Sequence, residues 1–324
     1  MPSTSFSRRH LLALATAAAA APLARAQSAE GPVRLIVPFT PGTGIDLIAR
    51  QIGPHLSRRL GRPVVVENKA GASGNIGTME VVRAAPDGST LLVTVNTLVM
   101  NRALYPTAGF DPVRQLDPIS LTSWGTLVLV ASTKSGITSA KDLVARAKAQ
   151  PGALNYGSPG AGTPHHLAME LVKNKTGTFV THVPYRGTAP AVTDLLGGVI
   201  DIMFLPIHVA LQHVKAGSLR ALAISSARSH PLLPDVPPLQ VLGLGEINVD
   251  MWYGVLAPAG TPRHVLDRLN TELKEILALP EVNSAFQTQG MDPAHSTPAR
   301  FKELLVKDAE RWAALIRTQK ITVD

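Results

Sequence analysis

Short apolar runs rich in valine, leucine and isoleucine alternate along this chain with longer segments of helical periodicity. Strands joined by helices run in the same direction in a sheet, because each helix carries the chain back to the edge where the previous strand began. The alternation therefore predicts an α/β fold with parallel strands. The predicted strands cover residues 33–38, 64–67, 90–95, 127–131, 154–157, 180–183, 202–204, 219–224 and 253–257. The predicted helices cover residues 46–60, 75–84, 140–149, 164–174, 189–197, 207–216, 262–278 and 298–319.

The pattern is compatible with two lobes joined by a hinge. A chain of 324 residues that is 45% hydrophobic can bury one large core or two smaller ones. The apolar runs at 127–131 and 253–258 are candidates for strands on which the chain crosses between two α/β lobes. Two such crossings would act as a hinge.

The first 26 residues have the pattern of an export signal. Arg8 and Arg9 precede an apolar stretch at 11–21, and Ala24-Arg25-Ala26 has the small residues of a cleavage site. We expect the mature protein to begin near Gln27 and to work in the periplasm. The arginine pair resembles a twin-arginine signal, and a general secretory signal with two arginines in its basic region is the alternative.

Composition excludes several classes of function. The chain has no cysteine, so a disulfide, a thiolate metal site and a cysteine nucleophile are excluded. The net charge of +8 includes three arginines of the export signal, and without them it is +5. The other basic residues are dispersed and have no interleaved aromatic residues, so we expect no nucleic-acid surface. No later apolar run approaches the ~18 residues of a membrane span.

The motifs of common enzymes are incomplete. Ser158 follows a strand and precedes a helix, but G-x-S-x-G needs a glycine on both sides of the serine, and Tyr156 stands where the first one should be. Residues 157–163 lack the lysine of a phosphate loop, and residues 42–44 lack the later glycine of a dinucleotide site. We therefore expect no nucleotide cofactor.

Histidines at the start of the predicted helix 164–174 leave a metal site and a hydrolase to consider. Zinc could use the spacing of His165, His166 and Glu170, but no H-E-x-x-H motif accompanies them, which favours a structural role. A hydrolase acting on a carboxylate ester or amide would need a nucleophile, a base and an acid, for which Ser158, His166 and Asp201 are the candidates. Their order and spacing match no motif, so we expect neither an enzyme nor a metal site.

Three glycine-rich turns each end a strand and open a helix, at residues 41–44, 71–74 and 157–163. A helix start presents unpaired backbone N–H groups and about half a positive charge, so several starts aimed at one crevice bind an anion without lysine. Glycine lets a ligand approach the backbone closely. In open α/β sheets, ligands bind beyond the carboxyl ends of the strands. These turns therefore favour an anion site, although any single one could serve only as a tight connection.

The chain resembles the solute-binding proteins of tripartite tricarboxylate transporters, the Bug family. The similar stretches follow the family's order and cover almost the whole mature chain. They are PFTPGTGIDLIAR (38–50), NKAGASGNIG (68–77), FDPVRQLDPISL (110–121), LNYGSPGAGTPHHLAMELV (154–172), HVPYRGTAPAVTDLLGGVID (182–201) and MWYGVLAPAGTP (251–262).

The resemblance implies a two-lobed, type II-like periplasmic-binding-protein fold. One lobe would comprise residues 27–126 plus 252–324, and the other residues 127–251. Such a monomer would close around a small carboxylate and deliver it to the subunits of a membrane permease. A receptor that presents the liganded form to a membrane sensor would use the same pocket, and the sequence leaves this alternative open.

The resemblance also implies that main-chain groups of the first and third turns hold the ligand carboxylate, which explains the missing lysine. Phe39 could wall the ligand or be an ordinary core aromatic, and Arg186 is the nearest cation or a surface residue. Asp46 could cap the first helix or contact an amino or hydroxyl group of the ligand, and Asp201 could cap or brace its turn. Asn96 could hydrogen-bond the ligand or serve ordinary turn chemistry. The predicted ligand-binding residues are Phe39, Thr40, Gly42, Thr43, Gly44, Asp46, Asn96, Ser158, Gly160, Ala161, Gly162, Thr163, Tyr185, Arg186 and Asp201.

Two residues of the first turn depart from the family pattern. Thr43 stands where glycine is usual, and Ile45 where a small polar residue is common. A β-branched residue tolerates positive φ badly, so either the turn does not need positive φ there or the loop is reshaped. We expect a tighter and more apolar pocket that favours an aromatic or partly apolar carboxylate.

Overall fold

The computed structural model describes residues 31–242 and 249–322, so the predicted export signal lies outside the described chain. Within these ranges the strands are β1 (Val33–Val37), β2 (Val64–Asn68), β3 (Thr90–Val95), β4 (Leu116–Gly125), β5 (Leu127–Ser132), β6 (Asn155–Ser158), β7 (Thr181–Pro184), β8 (Ile202–Pro206), β9 (Leu219–Ile224), β10 (Met251–Pro258) and β11 (Met291–Pro293). The helices are α1 (Gly44–Leu60), α2 (Asn75–Val82), α3 (Thr97–Leu104), α4 (Pro112–Gln115), α5 (Ala140–Ala149), α6 (Pro164–Thr176), α7 (Thr188–Gly197), α8 (Ile207–Lys215), α9 (Arg263–Leu277), α10 (Pro280–Thr288) and α11 (Pro298–Thr318).

The strands form two sheets, each with helices beside it. The first sheet has the order β11-β4-β10-β3-β1-β2, and the second has the order β7-β6-β8-β5-β9. β1 is parallel to β2 and β3, and β6 is parallel to β7 and β8. The predicted α/β class with two lobes is confirmed.

The expectation of parallel strands fails where the chain passes between the sheets. β4 ends at Gly125 in the first sheet and β5 begins at Leu127 in the second, so Thr126 alone joins them. β5 is antiparallel to β8 and β9, and β10 is antiparallel to β3 and β4. The chain enters β5 from the first sheet and β10 from the second sheet. Neither strand therefore follows a helix that carries the chain back along its own sheet. As a result, the amino end of β10 lies at the same edge as the carboxyl end of β3.

Strand β4 was not among the predicted strands. Its sequence LDPISLTSWG contains Pro118, and proline removes a ladder hydrogen bond from a central strand. Pro118 pairs with Leu256 next to an irregularity in the register between β10 and β4, which accommodates the missing N–H. The irregularity depends on the partner strand, so local sequence does not predict it.

Both faces of the second sheet are buried. Val128 and Val130 of β5 belong to one apolar cluster, and Leu129 and Ala131 belong to the other. Alternate residues of a strand point to opposite faces, so this division means that the sheet is covered on both sides. None of the described helices is long and apolar enough to cross a membrane.

Candidate functional site

A small chamber lies where the ends of β1, β3, β6, β7 and β8 face one another between the two sheets. Its volume is about 40 Å³, which is space for only a few water molecules. Of the described residues, those that line the chamber are Phe39, Thr43, Gly44, Ile45, Val95, Thr97, Pro159, Thr163, Pro164, His165, Thr188, Pro206, His208, Val209, Met251 and Tyr253. Both sheets contribute to this wall.

The described wall of the chamber contains no aspartate, glutamate, lysine or arginine. Most of it is aliphatic, aromatic or proline carbon, with a few hydroxyl and imidazole groups. The surroundings therefore have a low dielectric constant, in which any fixed dipole acts strongly on a charge.

Five of the described helices begin at this chamber. The lining residues at their starts are Gly44 and Ile45 of α1, Thr97 of α3, Pro164 and His165 of α6, Thr188 of α7, and His208 and Val209 of α8. Each helix start carries about half a positive charge and backbone N–H groups without an intrahelical acceptor. Together they make the chamber electropositive although it contains no cation.

The helices that begin at the chamber also lack side-chain caps. No side chain of the described cap residues Thr43, Asn96, Thr163, Gly187 and Pro206 accepts a hydrogen bond from its helix. Of the six described helices that begin elsewhere, side chains cap α4, α5 and α11, whereas α2, α9 and α10 also lack a side-chain cap. An anion in the chamber would replace the missing caps.

A wider cleft of about 590 Å³ adjoins the chamber and shares Phe39 and Pro159 with it. It is lined by the second glycine-rich turn and by residues that follow β7. Ser73 has φ 52°, an uncommon conformation outside glycine, and its Oγ donates to the carbonyl oxygen of Ala161 at 2.6 Å. Tyr105 Oη donates to the same oxygen at 3.1 Å. The bond from Ser73 joins the second glycine-rich turn to the third, and the bond from Tyr105 joins the residue after α3 to the same third turn.

The first turn places its positive φ at glycine. Gly42 has φ 80°, whereas Thr43 has φ −74°, so the β-branched residue causes no strain. Two alternatives were open for Thr43, a turn without positive φ at this residue or a reshaped loop. The first agrees with the observed φ of Thr43. Ile45 is 4% exposed and lines the chamber, so it makes this wall apolar.

Asp46 braces the first turn and does not reach the chamber. Its carboxylate accepts hydrogen bonds from Gly42 N at 2.9 Å, Arg50 Nε at 3.0 Å and Asn68 Nδ2 at 3.0 Å. Burial opposes the charge of Asp46, but these three donors outweigh it and lower the pKa of the carboxyl. These contacts hold the turn that precedes α1, a role that differs from the two expected of Asp46, a cap of the helix or a contact to the ligand.

Replacing Asp46 by alanine should destabilise the protein by about 2–3 kcal/mol, because Gly42 N, Arg50 Nε and Asn68 Nδ2 lose their shared, charged acceptor. The free energy of unfolding in urea measures this effect. The matched control is Asp267→Ala, which removes a carboxylate paired with Arg263 one turn away on an exposed helix face. The control should change stability by less than about 0.5 kcal/mol. Equal effects of the two variants would contradict the bracing role.

The third turn is held by an internal network. Gly162 N donates to His166 Nδ1 at 3.1 Å, and Thr163 Oγ1 donates to the carbonyl oxygen of Gly160 at 2.7 Å. The His166 ring stacks on His182 with 4.2 Å between ring centroids, and His182 stacks on Tyr156 at 4.7 Å. The structural role expected of His166 agrees with these contacts.

The residues considered for a hydrolase do not form a triad. Ser158 Oγ hydrogen-bonds His182 Nε2 at 2.7 Å and donates to the carbonyl oxygen of Gly160 at 3.0 Å. His166 bonds the third turn, and Asp201 accepts from Asn155 N at 2.8 Å. Ser158 is fully buried, so a substrate would not reach its hydroxyl.

Two imidazoles supply the strongest hydrogen-bonding groups of the chamber wall. Nδ1 and Nε2 of His165 and Nε2 of His208 are buried and have no partner in the described chain. Burial lowers the pKa of His165 to about 3, with a contribution from His208, and lowers the pKa of His208 to about 4. Both rings are therefore neutral near pH 7.

The predicted ligand-binding residues fall into three groups. The chamber wall includes Phe39, Thr43, Gly44 and Thr163. The adjoining cleft is lined by Phe39, Thr40, Gly160, Tyr185 and Arg186. The residues that line neither cavity are Gly42, Asp46, Asn96, Ser158, Ala161, Gly162 and Asp201. Most members of this last group hold the turns in shape by hydrogen bonds within the protein.

Several lining residues were absent from the predicted set, among them Thr188, His208, Met251 and Tyr253. Thr188 and His208 follow the ends of β7 and β8, so the rule that ligands bind beyond the carboxyl ends of parallel strands could have found them. Met251 and Tyr253 lie at the amino end of β10. Only the antiparallel direction of that strand brings them to the same edge.

Comparisons with known proteins agree along nearly the whole chain. A family model described as tripartite tricarboxylate transporter family receptor matches residues 48–321. Protein BugT of Bordetella pertussis, strain Tohama I, is 37% identical over 306 residues, which cover 94% of this chain and 94% of BugT.

Solved structures show the same likeness. The periplasmic binding protein BugD is 31% identical with a TM-score of 0.85, over 90% of this chain and 99% of that one. Rpa4515 of R. palustris, solved with adipate, is 30% identical with a TM-score of 0.86, and the match covers 90% of this chain and 98% of Rpa4515. MatC from Rhodopseudomonas palustris, with bound malate, is 27% identical with a TM-score of 0.83, and the match covers 89% of this chain and 99% of MatC. The chain therefore belongs to the tripartite tricarboxylate transporter receptor family and is a solute-binding protein with the two-lobed fold of periplasmic binding proteins.

Proposed function

We propose that this protein captures a small carboxylate in the chamber between its lobes and holds it with the amides of converging helix starts. The observation that carries the proposal is the convergence of five uncapped helix starts on a chamber wall without charged side chains. Such a site binds an anion through fixed dipoles and does not need a cation. Adipate in Rpa4515 and malate in MatC are both carboxylates, which supports this class of ligand.

The apolar wall favours an aromatic or partly apolar acid. Ile45, Val95, Val209 and Met251 surround the space beside the helix starts. Burying apolar ligand surface contributes about 25 cal/mol per Å², so a ring or methylene chain would bind better here than a small polar acid.

The proposed mechanism is closure of two lobes about a hinge. Because the chamber of about 40 Å³ has space for only a few water molecules, an acid of the size of benzoate or adipate enters only when the lobes stand further apart. The lobes comprise residues 27–126 plus 252–324 and residues 127–251, a division supported by the single-residue link at Thr126 and the return of the chain on β10. A ligand that contacts both lobes favours the closed state.

The closed monomer would present its ligand to the permease subunits of a tripartite tricarboxylate transporter and release it unchanged. The export pattern at residues 1–26 supports work in the periplasm, with cleavage near Gln27. The family match supports the permease as partner. No residue is assigned a catalytic role.

A panel of ligands tests the proposal. Benzoate, phenylacetate, adipate, succinate and malate are compared with benzamide, which has the shape of benzoate without its charge. An acid at 100 times its Kd should stabilise the protein by about 2.7 kcal/mol and raise the Tm by about 5 °C, and the bound acid should be recovered unchanged. The aromatic acids should bind most tightly. No shift with any acid, or an equal shift with benzamide, would refute carboxylate capture, whereas preference for succinate and malate would refute only the apolar pocket.

A further inference from the structure

Two buried imidazoles in the chamber wall have ring nitrogens that make no hydrogen bond within the described chain. His165 is the second residue of α6 and is 8% exposed, yet both of its ring nitrogens lack a partner in the described chain. His208 is the second residue of α8, and its buried Nε2 is likewise unpaired. Buried polar atoms are normally satisfied, so three unpaired nitrogens on one wall point to a ligand that satisfies them.

The neighbouring histidines show what a structural imidazole looks like in this protein. His166 accepts a hydrogen bond from Gly162 N and stacks on His182, which in turn bonds Ser158 Oγ at 2.7 Å. His165 is next to His166 in the chain, but it faces the chamber and has neither a hydrogen bond nor a ring partner of this kind in the described residues.

We propose that His165 and His208 bind the ligand carboxylate directly, and that the acid enters the chamber together with one proton carried by one of these rings. This inference rests on the proposed function and identifies the groups that neutralise the bound acid. The proton comes from solvent and adds to a free ring nitrogen, and no covalent bond to the ligand forms.

The physical reason is the change of charge when the ligand binds. In the free protein, burial and the positive helix starts keep both rings neutral, since burial holds the pKa of each well below its usual value. A carboxylate beside a ring reverses the sign of the local field and favours the imidazolium form. An ion pair in a dry chamber is then formed from a neutral ring, a proton and an acid anion.

Other titratable groups near the chamber do not offer a competing proton site at pH 6 to 8. Tyr253 on β10 is fully buried, which raises the pKa of its hydroxyl above its usual value. Asp46 on α1 is held by Gly42, Arg50 and Asn68. Burial raises the pKa of Asp250, just before β10, but this residue is not part of the chamber wall and its carboxylate accepts from Ser225 Oγ at 3.2 Å.

The groups on the remaining helices point elsewhere. Glu170 of α6 pairs with Lys173 at 2.7 Å, and His213 and Lys215 lie at the far end of α8. Arg186, before α7, lines the outer cleft. Among the described residues of the chamber wall, the two imidazoles are therefore the groups able to gain a proton on binding.

Proton uptake is measured by titration calorimetry at pH 6 in phosphate and in bis-Tris, whose ionisation enthalpies differ. The ligand is whichever acid of the panel binds most tightly. We expect uptake of close to one proton per acid, and an affinity about tenfold higher at pH 6 than at pH 8. His165→Phe and His208→Phe keep the ring size, and the double variant should show no uptake. His295→Phe is the matched control, since His295 also has an unpaired buried Nε2 but lies outside the chamber, and it should behave like the unmodified protein.

The outcomes separate the two levels of the proposal. Binding of an acid without proton uptake would refute the role of the histidines and leave carboxylate capture intact. Uptake that persists in the double variant would also refute it. If no acid of the panel binds, the proposed function and this inference fall together. The measurement on the unmodified protein decides the point even if a variant does not fold.

Discussion

Valine in place of Gly44 should lower the affinity for any acid that binds in the chamber by at least about 100-fold, or about 2.7 kcal/mol. A Cβ at this position would lie 2.9 Å from Tyr253 Oη, 3.1 Å from His208 Cε1 and 3.3 Å from Met291 Cε. The added methyl groups would fill a chamber of about 40 Å³ and press against residues of both sheets. The backbone of Gly44 is helical, so the substitution causes no φ strain.

The matched control is Gly53→Ala in the same helix. Its Cβ would lie 3.7 Å from Val64 Cγ1, which is an ordinary contact, so affinity should not change and stability should rise by about 0.5–1 kcal/mol. Calorimetric titration with the panel acids measures both variants. Unchanged affinity in Gly44→Val would mean that the ligand binds elsewhere.

Lowering the pH from 7 to 5 should destabilise the unliganded protein by several kcal/mol. Burial lowers the pKa of His165 and His182 to about 3 and that of His166 and His208 to about 4. A histidine of the unfolded chain has a pKa of about 6.5. Below this pH the unfolded chain binds protons that the folded chain does not, so the protein loses stability as the pH is lowered towards the pKa values of the folded state. Each histidine contributes about 2 kcal/mol to this loss at pH 5. The total is a large part of a typical folding free energy.

Two carboxyl groups work in the opposite direction. Burial raises the pKa of Asp250 and Asp308, so protonation relieves their cost as the pH falls through their folded values. The stability gained by protonating these two carboxyl groups offsets part of the stability lost through the four histidines. The net effect of lowering the pH should remain a loss of stability.

Urea unfolding at pH 7 and pH 5 measures the difference. His166→Gln should reduce the pH dependence by about 2 kcal/mol, because the amide can still accept from Gly162 N but does not titrate. His264→Gln, at an exposed position, should leave it unchanged. Equal stability of the unmodified protein at both pH values would show that the buried rings are not kept neutral.

Local sequence predicts most of the elements that surround the site. The apolar run of β1, the glycine-rich turn and the helical pattern of α1 depend on residues close in the chain, so their order predicts an α/β fold with ligand sites at strand ends. The same pattern does not predict β4, because Pro118 is tolerated only through an irregularity formed with β10. Helix α3 is likewise absent from the predicted helices; it has only eight residues, and its cap residue Asn96 makes no side-chain hydrogen bond to the helix.

The candidate site was only partly predictable. The turns were placed correctly as connections between strands and helices, and the anion-binding idea follows from the exposed amides of any helix start. However, local sequence does not indicate whether a polar group of a turn faces a cavity or the protein interior. Asp46 and Gly162 face inward to hold their turns, whereas Thr188 and His208 face the chamber.

The sequence by itself determined the fold class, the family, the absence of cysteine chemistry and the turns that open the helices, because these depend on composition and on neighbours along the chain. The tertiary structure decided which helix starts converge, which histidines remain unpaired and which strands run antiparallel. Those properties arise from the arrangement of two separate sheets and their helices around one chamber. Residues far apart in the chain, such as His165, His208 and Tyr253, become one wall only after both sheets have formed.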